Sequence, residues 1–150
     1  FRRVLFRSDL LRALEWTSDP RVRDSIRQTL GSNREYTLKN DEAALAAYHE
    51  IIDSSKQLGS ADQFYAVQGI ARIETRRGKY KAALSALRRV DIAKQGGFWR
   101  GSLLMSLADT QRAAGLKAEA IATYKSIVAD ETTDARFRKT AEESLSKLRD

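Results

Sequence analysis

The fold is decided by residues 101–127, which read GSLLMSLADTQRAAGLKAEAIATYKSI. Large apolar residues recur every three or four positions on both sides of Gly115, the spacing of two amphipathic helices. Ala108 in the first stretch and Ala120 in the second are small enough to let two antiparallel helices approach closely. Gly115 can adopt the left-handed conformation that ends one helix and reverses the chain. This stretch therefore predicts a helical hairpin.

The same arrangement occurs twice more toward the N-terminus, with successive copies offset by 39 or 40 and then by 37 residues. The copies are Leu30-Gly31 with Ala44 and Tyr48, Ile70-Ala71 with Ala83 and Leu87, and Leu107-Ala108 with Ala120 and Tyr124. Repeats of this length are typical of stacked helical units that bury apolar surface against their neighbours. The sequence predicts an all-α fold, an α-solenoid of three antiparallel helical hairpins at about 20–57, 60–94 and 98–129, with a capping helix at about 134–148.

Polar residues mark where the predicted helices begin. The predicted caps are Asp19 before Pro20, Asn40, the capping-box pair Ser60 and Gln63, and Asp134. Gly31, followed by Ser32 and Asn33, could end the first of these helices early, because a glycine inside a helix costs about 1 kcal/mol. The first hairpin is therefore the one that the pattern defines least sharply.

The composition gives little support to catalysis. The chain of 150 residues has 42% apolar and 31% charged residues, no cysteine and one histidine, His49. His49 and Asp53 share a helix face, which we interpret as exposed helix polarity, and Asp130, Glu131 and Asp134 fall between helices, where acids serve as caps. No glycine-rich loop that could hold a phosphate is present. We therefore predict no enzyme activity, no catalytic residue, no metal site and no cofactor.

The first eight residues, Phe1 to Ser8, resemble the translation of a common sequencing adapter, with all eight codons matching in one frame. We therefore expect residues 1–8 to be an artefact and residues 9–150 to be a single domain, a fragment of a longer protein. Setting the artefact aside removes three arginines, which lowers the net charge from +7 to +4. No segment of the chain reaches the roughly 18 consecutive apolar residues of a transmembrane helix.

The repeated steps resemble the tetratricopeptide repeat, with Leu30-Gly31 at its Leu-Gly step and Ala44 with Tyr48 at its alanine and aromatic step. The tryptophan and the closing proline of that pattern are absent, so a related helical-hairpin repeat also fits. The resemblance implies a protein-interaction scaffold that binds a peptide or helix of a partner in a concave groove lined by the first helix of each hairpin. Carried over by position, the implied contact residues are Tyr65, Gln68, Arg72 and Arg76, with Ser102, Met105, Asp109 and Arg112.

A basic segment favours an alternative function, binding of nucleic acid or another polyanion. Residues 72–100 hold nine basic and two acidic side chains, a net charge of +7, and Phe98 and Trp99 lie at the end of the segment. Helical phasing places these basic residues on different faces, whereas a surface that binds phosphates has them on one face. The protein-interaction function is therefore the one that we favour from the sequence.

Overall fold

The structure is a computed structural model that describes the backbone of residues 2–149 and the side chains of residues 7–148. Over these residues the chain forms eight α-helices and no strand, which confirms the predicted all-α class. The helices are α1 (Arg2–Trp16), α2 (Pro20–Ser32), α3 (Asp41–Asp53), α4 (Ala61–Arg76), α5 (Tyr80–Arg88), α6 (Gly97–Ala113), α7 (Lys117–Ala129) and α8 (Ala135–Arg149). The expected artefact at residues 1–8 falls mostly outside the described side chains, and it stays a prediction.

Four helices, α2, α3, α4 and α8, begin directly after the residues predicted to cap them. Each capping side chain accepts a hydrogen bond from a backbone N–H of the first turn, a donor that the helix itself leaves unsatisfied. The donors and caps are Arg21 to Asp19 (2.9 Å), Ala43 to Asn40 (3.0 Å), Gln63 to Ser60 (3.3 Å) and Arg136 to Asp134 (2.9 Å). The Gln63 side chain also accepts from the Ser60 N–H at 3.2 Å, which completes the predicted capping box. Gly78 and Gly115, with φ of 73° and 76°, follow α4 and α6 as left-handed residues.

The α-helix α2 ends at Ser32, within the stretch Gly31 to Asn33 that the sequence marks, although Gly31 itself lies inside the helix. α2 continues through Gly31 to Ser32, and the backbone then widens into a π-helical turn, Asn33–Thr37. Gly31 serves packing instead, because a Cβ atom built on it would lie 2.5 Å from Cε1 of Tyr48. Gly69 on α4 approaches the opposite edge of the same ring, where a Cβ atom would lie 2.8 Å from Cδ2. The two glycines therefore make room for the Tyr48 ring.

Tyr48 lies in the core of the first of two compact units, Phe1–Gly69. In this unit α2 contacts α1 and α3, and the π-helical turn contacts α2 and α3. The Tyr48 side chain is 1% exposed, and its hydroxyl donates a hydrogen bond at 3.0 Å to Oε2 of Glu35, a buried residue of the π-helical turn. The buried apolar residues of the unit include Leu30, Ala44, Ile51, Ile52, Phe64 and Val67.

In the second compact unit, Ile70–Asp150, α6 contacts three other helices. α6 contacts α5, α7 and α8, and α7 also contacts α8. The small residues of its two repeat copies are at most 1% exposed: Ala71, Ala83, Ala108 and Ala120. One core cluster comprises Met105, Ala108, Ala120, Tyr124, Ile127, Ala141 and Leu145. Gly101 lets α6 lie close to α8, since a Cβ atom on it would be 2.6 Å from Cδ2 of Phe137.

Several large apolar side chains of the described residues are exposed. They are Leu11, Trp16, Val22, Tyr36, Leu38, Tyr65, Phe98 and Leu116. Trp16, at the end of α1, is the most exposed of them at 85%. Among residues 2–149, no helix combines the length and the apolar character that a membrane crossing requires.

Candidate functional site

Four of the predicted contact residues lie on α4. Tyr65, Arg72 and Arg76 are exposed, and Gln68 is half-buried. Their spacing of three or four residues places them on one side of a helix. Their exposure is compatible with binding, and their role as contact residues stays a prediction.

The other four predicted contact residues lie on α6, and they differ in their exposure to solvent. Arg112 is exposed, while Ser102 and Asp109 are half-buried. Met105 is only 9% exposed and belongs to the core cluster with Tyr124 and residues of α8. Helical phasing alone could not reveal this, because the residues that cover Met105 come from α7 and α8. Met105 therefore stabilises the second unit and is not part of an accessible surface.

Asp109 connects α6 with α7. Its carboxylate oxygen Oδ1 accepts a hydrogen bond from the Tyr124 hydroxyl at 2.5 Å, and Arg112 lies 3.5 Å from the same oxygen. Burial of the Tyr124 ring and its hydrogen bond to Asp109 raise the pKa of Tyr124 to about 12. The neutral phenol is thus the form that the folded state favours. Asp109, one of the predicted contact residues, is therefore engaged in a hydrogen bond within the molecule.

The raised pKa of Tyr124 predicts a loss of stability at high pH. Because the folded pKa lies above the ordinary value of 10.0, the stabilisation is complete below about pH 10 and is lost as the pH rises toward 12. The Tyr124→Phe variant cannot ionise, so it should lose less stability over this interval than the parent protein. Urea unfolding between pH 9 and pH 12 measures the difference. If the free energy of unfolding of both proteins falls equally between pH 9 and pH 12, ionisation of Tyr124 is not the cause of the loss.

A pair of hydroxyls joins α4 and α6 within the second unit. The hydroxyl oxygens of Thr75 and Thr110 lie 3.3 Å apart. Thr110 donates its proton to the carbonyl oxygen of Ser106 at 2.8 Å, so Thr75 must be the donor to Thr110. Arg72 and Arg76 flank Thr75 along α4. The bond therefore places the end of α4 next to α6.

The basic segment 72–100 is partly neutralised by nearby acids. Among the described residues, Lys94 lies 2.8 Å from Asp91, and Arg77 lies 4.0 Å from Glu74. Arg100 lies 3.2 Å from Asp130, though without hydrogen-bond geometry at these atoms. At least three of the nine basic side chains thus have acidic partners among the described residues of the second unit. This lowers the positive charge that the segment can offer to a polyanion.

A cleft of about 730 Å³ lies in the first unit, and the sequence did not point to it. It is bounded by the start of α2, the end of α3 and the start of α4. The lining residues are Pro20, Arg21, Arg23, Asp24, Arg27, Ser54, Ser55, Gln57, Gly59, Ser60, Asp62 and Gln63. All but proline and glycine carry polar side chains.

Two carboxyl groups in this cleft are in unfavourable surroundings for a charge. Burial raises the pKa of Asp24, Arg27 opposes this shift, and the charge of Asp62 adds to it. Burial also raises the pKa of Asp62. Asp24 is 9% exposed, and its Oδ1 lies 3.6 Å from Nη1 of Arg27. No sequence signal marks the two as a pair, because they are 38 positions apart and come from different helices.

The structure shows where the residues considered for a metal site lie. Within the described residues no group of three or more His, Cys, Asp or Glu side chains is arranged to hold a metal ion. His49 Nδ1 lies 3.9 Å from Asp53 Oδ2, and both side chains are exposed. Asp130 and Asp134 accept hydrogen bonds in their own loop, as predicted for caps. These residues form local contacts.

Three comparisons bear on the family of this chain. Protein-family models, curated proteins and solved structures were compared with it, and no significant match was found.

Proposed function

We propose that this chain is a helical-repeat scaffold of the tetratricopeptide type that binds a peptide or helix of a partner protein. In this proposal the repeats are the hairpins α2–α3, α4–α5 and α6–α7, and α8 is the capping helix. The binding surface, which we name the α4–α6 surface, lies in the second unit. It comprises Arg72, Arg76, Ser102, Asp109 and Arg112. Tyr65 and Gln68 continue the same side of α4.

The observation that carries the proposal is the hydrogen bond of 3.3 Å between Thr75 and Thr110. It holds the end of α4, which also bears Arg72 and Arg76, next to a helix whose apolar residues pack in one cluster with residues of α7 and α8. On α6 itself, Ser102 and Asp109 are half-buried polar residues three and four positions from Met105. A partly buried polar side next to exposed arginines provides both hydrogen-bonding groups and charge to a bound segment.

The charge of the α4–α6 surface predicts which kind of partner segment it binds. Arg112 has Asp109 within 3.5 Å, so this pair adds little net charge to the α4–α6 surface. Arg72 and Arg76 are exposed and contribute positive charge. Opposite charges across an interface guide a partner into place and reject partners of the wrong sign. The proposed partner segment therefore carries acidic residues where it meets α4.

The test is a pair of charge reversals with the same change in net charge. Arg72→Glu with Arg76→Glu should weaken binding by about tenfold or more, because like charges then face each other in the interface. Arg88→Glu with Arg89→Glu changes two exposed residues at the end of α5 and should change affinity little. Binding is measured by calorimetry with peptides selected from a displayed random library against the parent protein.

The alternative function, binding of nucleic acid or another polyanion through residues 72–100, predicts a different result. A polyanion binder responds to total charge, so both double variants would weaken to a similar degree. Its affinity for heparin or DNA would also fall steeply with salt, since bound counterions are released. Equal losses together with a steep salt dependence would replace the scaffold proposal by this one.

A further inference from the structure

We infer that the exposed side of α1 binds a second copy of this chain, with the two α1 helices antiparallel across a two-fold axis. The contact consists of four exposed residues in the second half of α1: Leu11, Arg12, Glu15 and Trp16. It lies in the first unit and does not use the α4–α6 surface, so the two proposals succeed or fail separately. None of the four residues belongs to the expected artefact at residues 1–8.

Helical spacing places the four residues on one side of α1. Positions i, i+1, i+4 and i+5 fall within an arc of about 140° in a helix of 3.6 residues per turn. Leu10, Ala13 and Leu14 lie on the other side and are half-buried, and α1 contacts α2. The inner side of α1 therefore packs within its own unit, and the outer side faces solvent in the single chain.

The outer side of α1 carries apolar residues that are normally covered. The Trp16 side chain is 85% exposed and that of Leu11 is 39% exposed. Val22, in the first turn of α2, is 45% exposed. Tryptophan is largely buried in most proteins, and it is among the residues that contribute most to the affinity of interfaces. Exposed apolar side chains that lie on one side of an element are typical of an interaction surface.

Trp16 lies on a backbone that is held in place. The Arg23 guanidinium donates hydrogen bonds to the carbonyl oxygens of Leu14 and Thr17, at 2.6 Å and 3.0 Å. The Thr17 N–H donates to the carbonyl oxygen of Ala13 at 3.1 Å, which continues the helical bonding past Trp16. The exposure of Trp16 is therefore not that of a frayed helix end. A fixed backbone also has less freedom to lose when the side chain binds.

The four residues are complementary to themselves in an antiparallel pair. A two-fold axis perpendicular to the two helices places each residue opposite the one that lies equally far beyond the axis. With the axis midway between Arg12 and Glu15, Arg12 faces Glu15 of the partner subunit. Leu11 then faces Trp16 of the partner subunit. Each of these contacts occurs twice, so that apolar surface meets apolar surface and opposite charges meet.

The charges of this side are available for such a contact. Among the residues that the structure describes, neither Arg12 nor Glu15 has an ion-pair partner, and both are exposed. A parallel pair would place Arg12 beside Arg12 and Glu15 beside Glu15, which is repulsive. The pattern of charge therefore favours a second copy in the antiparallel direction.

The size of the contact predicts a weak dimer. Stable interfaces bury about 800 Å² on each partner, which is more than one pair of short helical segments provides. We expect a reversible equilibrium between monomer and dimer. The dimer should become the main species only toward millimolar concentration.

The experiment measures the oligomeric state of the full chain by sedimentation equilibrium from micromolar to millimolar concentration. The two tryptophans provide a test of location in the same samples. The indole N–H resonance of Trp16 should shift as the concentration rises. That of Trp99, which lies in the second unit, should not.

Charge reversal tests the antiparallel arrangement. Arg12→Glu and Glu15→Arg should each raise the dissociation constant of the dimer by about tenfold or more, because each creates two like-charged contacts. The double variant with both changes should associate like the parent. An equimolar mixture of the two single variants should also associate, since each then faces opposite charges. Lys125→Glu, at an exposed position of α7, should keep the dissociation constant within about twofold, because distant exposed charges are screened.

A second substitution tests the apolar part of the contact. Trp16→Ser should raise the dissociation constant by about thirtyfold or more, as expected for an aromatic residue at the centre of an interface. Leu38→Ser, which replaces another exposed apolar residue of the first unit, should leave it unchanged. All of these variants should unfold at the same urea concentration as the parent protein, because each replaces an exposed residue.

Three results would overturn the inference. A chain that stays monomeric at millimolar concentration, with an unshifted Trp16 resonance, does not bind a second copy through α1. If the double variant and the mixture associate as weakly as the single variants, the two helices are not antiparallel partners. A monomer whose Trp16 emission shifts to shorter wavelength with phosphatidylcholine vesicles would assign this side of α1 to a lipid surface.

Discussion

Replacing Tyr48 with alanine is expected to lower the free energy of unfolding of the first unit by about 4 kcal/mol. The ring is 1% exposed and lies between Gly31 and Gly69, neither of which has a side chain that could fill the space left behind. The substitution also removes the hydroxyl that donates to the buried Glu35 at 3.0 Å. Both losses lower the stability of the unit. The change is therefore large relative to the free energy of unfolding of a typical protein, about 5–15 kcal/mol.

Tyr48→Phe is the matched control for this prediction. It keeps the ring between the glycines and removes the hydroxyl that contacts Glu35 and, at 3.5 Å, the Ser32 hydroxyl, so the expected loss is about 1–3 kcal/mol, the cost of leaving a buried polar group unsatisfied. Hydrogen exchange of the α3 amides, supported by urea unfolding, measures both variants. If phenylalanine and alanine cause the same loss, the hydroxyl and not the ring is what the unit requires.

Gly69→Ala is expected to destabilise the first unit by about 2 kcal/mol, although alanine is the better helix former. Helix propensity alone predicts a gain of about 1 kcal/mol at this position inside α4. The new Cβ atom, however, would lie 2.8 Å from Cδ2 and from Cζ of Tyr48. Gly31 bounds the opposite edge of the ring and Glu35 holds its hydroxyl, so the ring has little room to move. Overpacking of this kind costs roughly 1–3 kcal/mol and occasionally more.

Two comparisons isolate the clash from other effects of the substitution. Gly59→Ala, where no atom lies within 4 Å of the added Cβ, should change stability by less than about 0.5 kcal/mol. In a protein that already carries Tyr48→Ala, the substitution Gly69→Ala should become stabilising, because only the gain in helix propensity remains. A loss that persists in the Tyr48→Ala background would show that the ring is not the cause. Urea unfolding measures the four variants and the parent protein.

The helices and their starts could be predicted from the sequence because their causes are local. Asn40 caps α3 and Ser60 pairs with Gln63 at the start of α4 through bonds that span three residues. The burial of Ala108 and Ala120 follows from a pattern that repeats along the chain. Each of these features depends on a few neighbouring residues, which a single sequence displays directly.

The features that could not be predicted depend on distant parts of the chain. Gly31 has the appearance of a helix breaker, and only the ring of Tyr48, seventeen positions later, explains why α2 continues through it. Helical phasing places Met105 on the side of α6 expected for binding, but its side chain is buried in a cluster with residues of α7 and α8. The cleft with Asp24 and Asp62 likewise combines α2, the loop after α3 and the start of α4. The helical period shows which residues lie on the same side of a helix, but it does not show which other parts of the chain pack against that side.

The arrangement around Tyr48 has a consequence for how the chain can diverge during evolution. Residues 31, 48 and 69 are far apart in the sequence, yet the size allowed at each depends on the other two. A lineage that acquires alanine at either glycine must first or simultaneously exchange the tyrosine for a smaller residue, or pass through a weakened intermediate. Related sequences should accordingly show covariation at these three positions: glycine at both outer positions wherever the middle one is aromatic, and larger residues only where it is not.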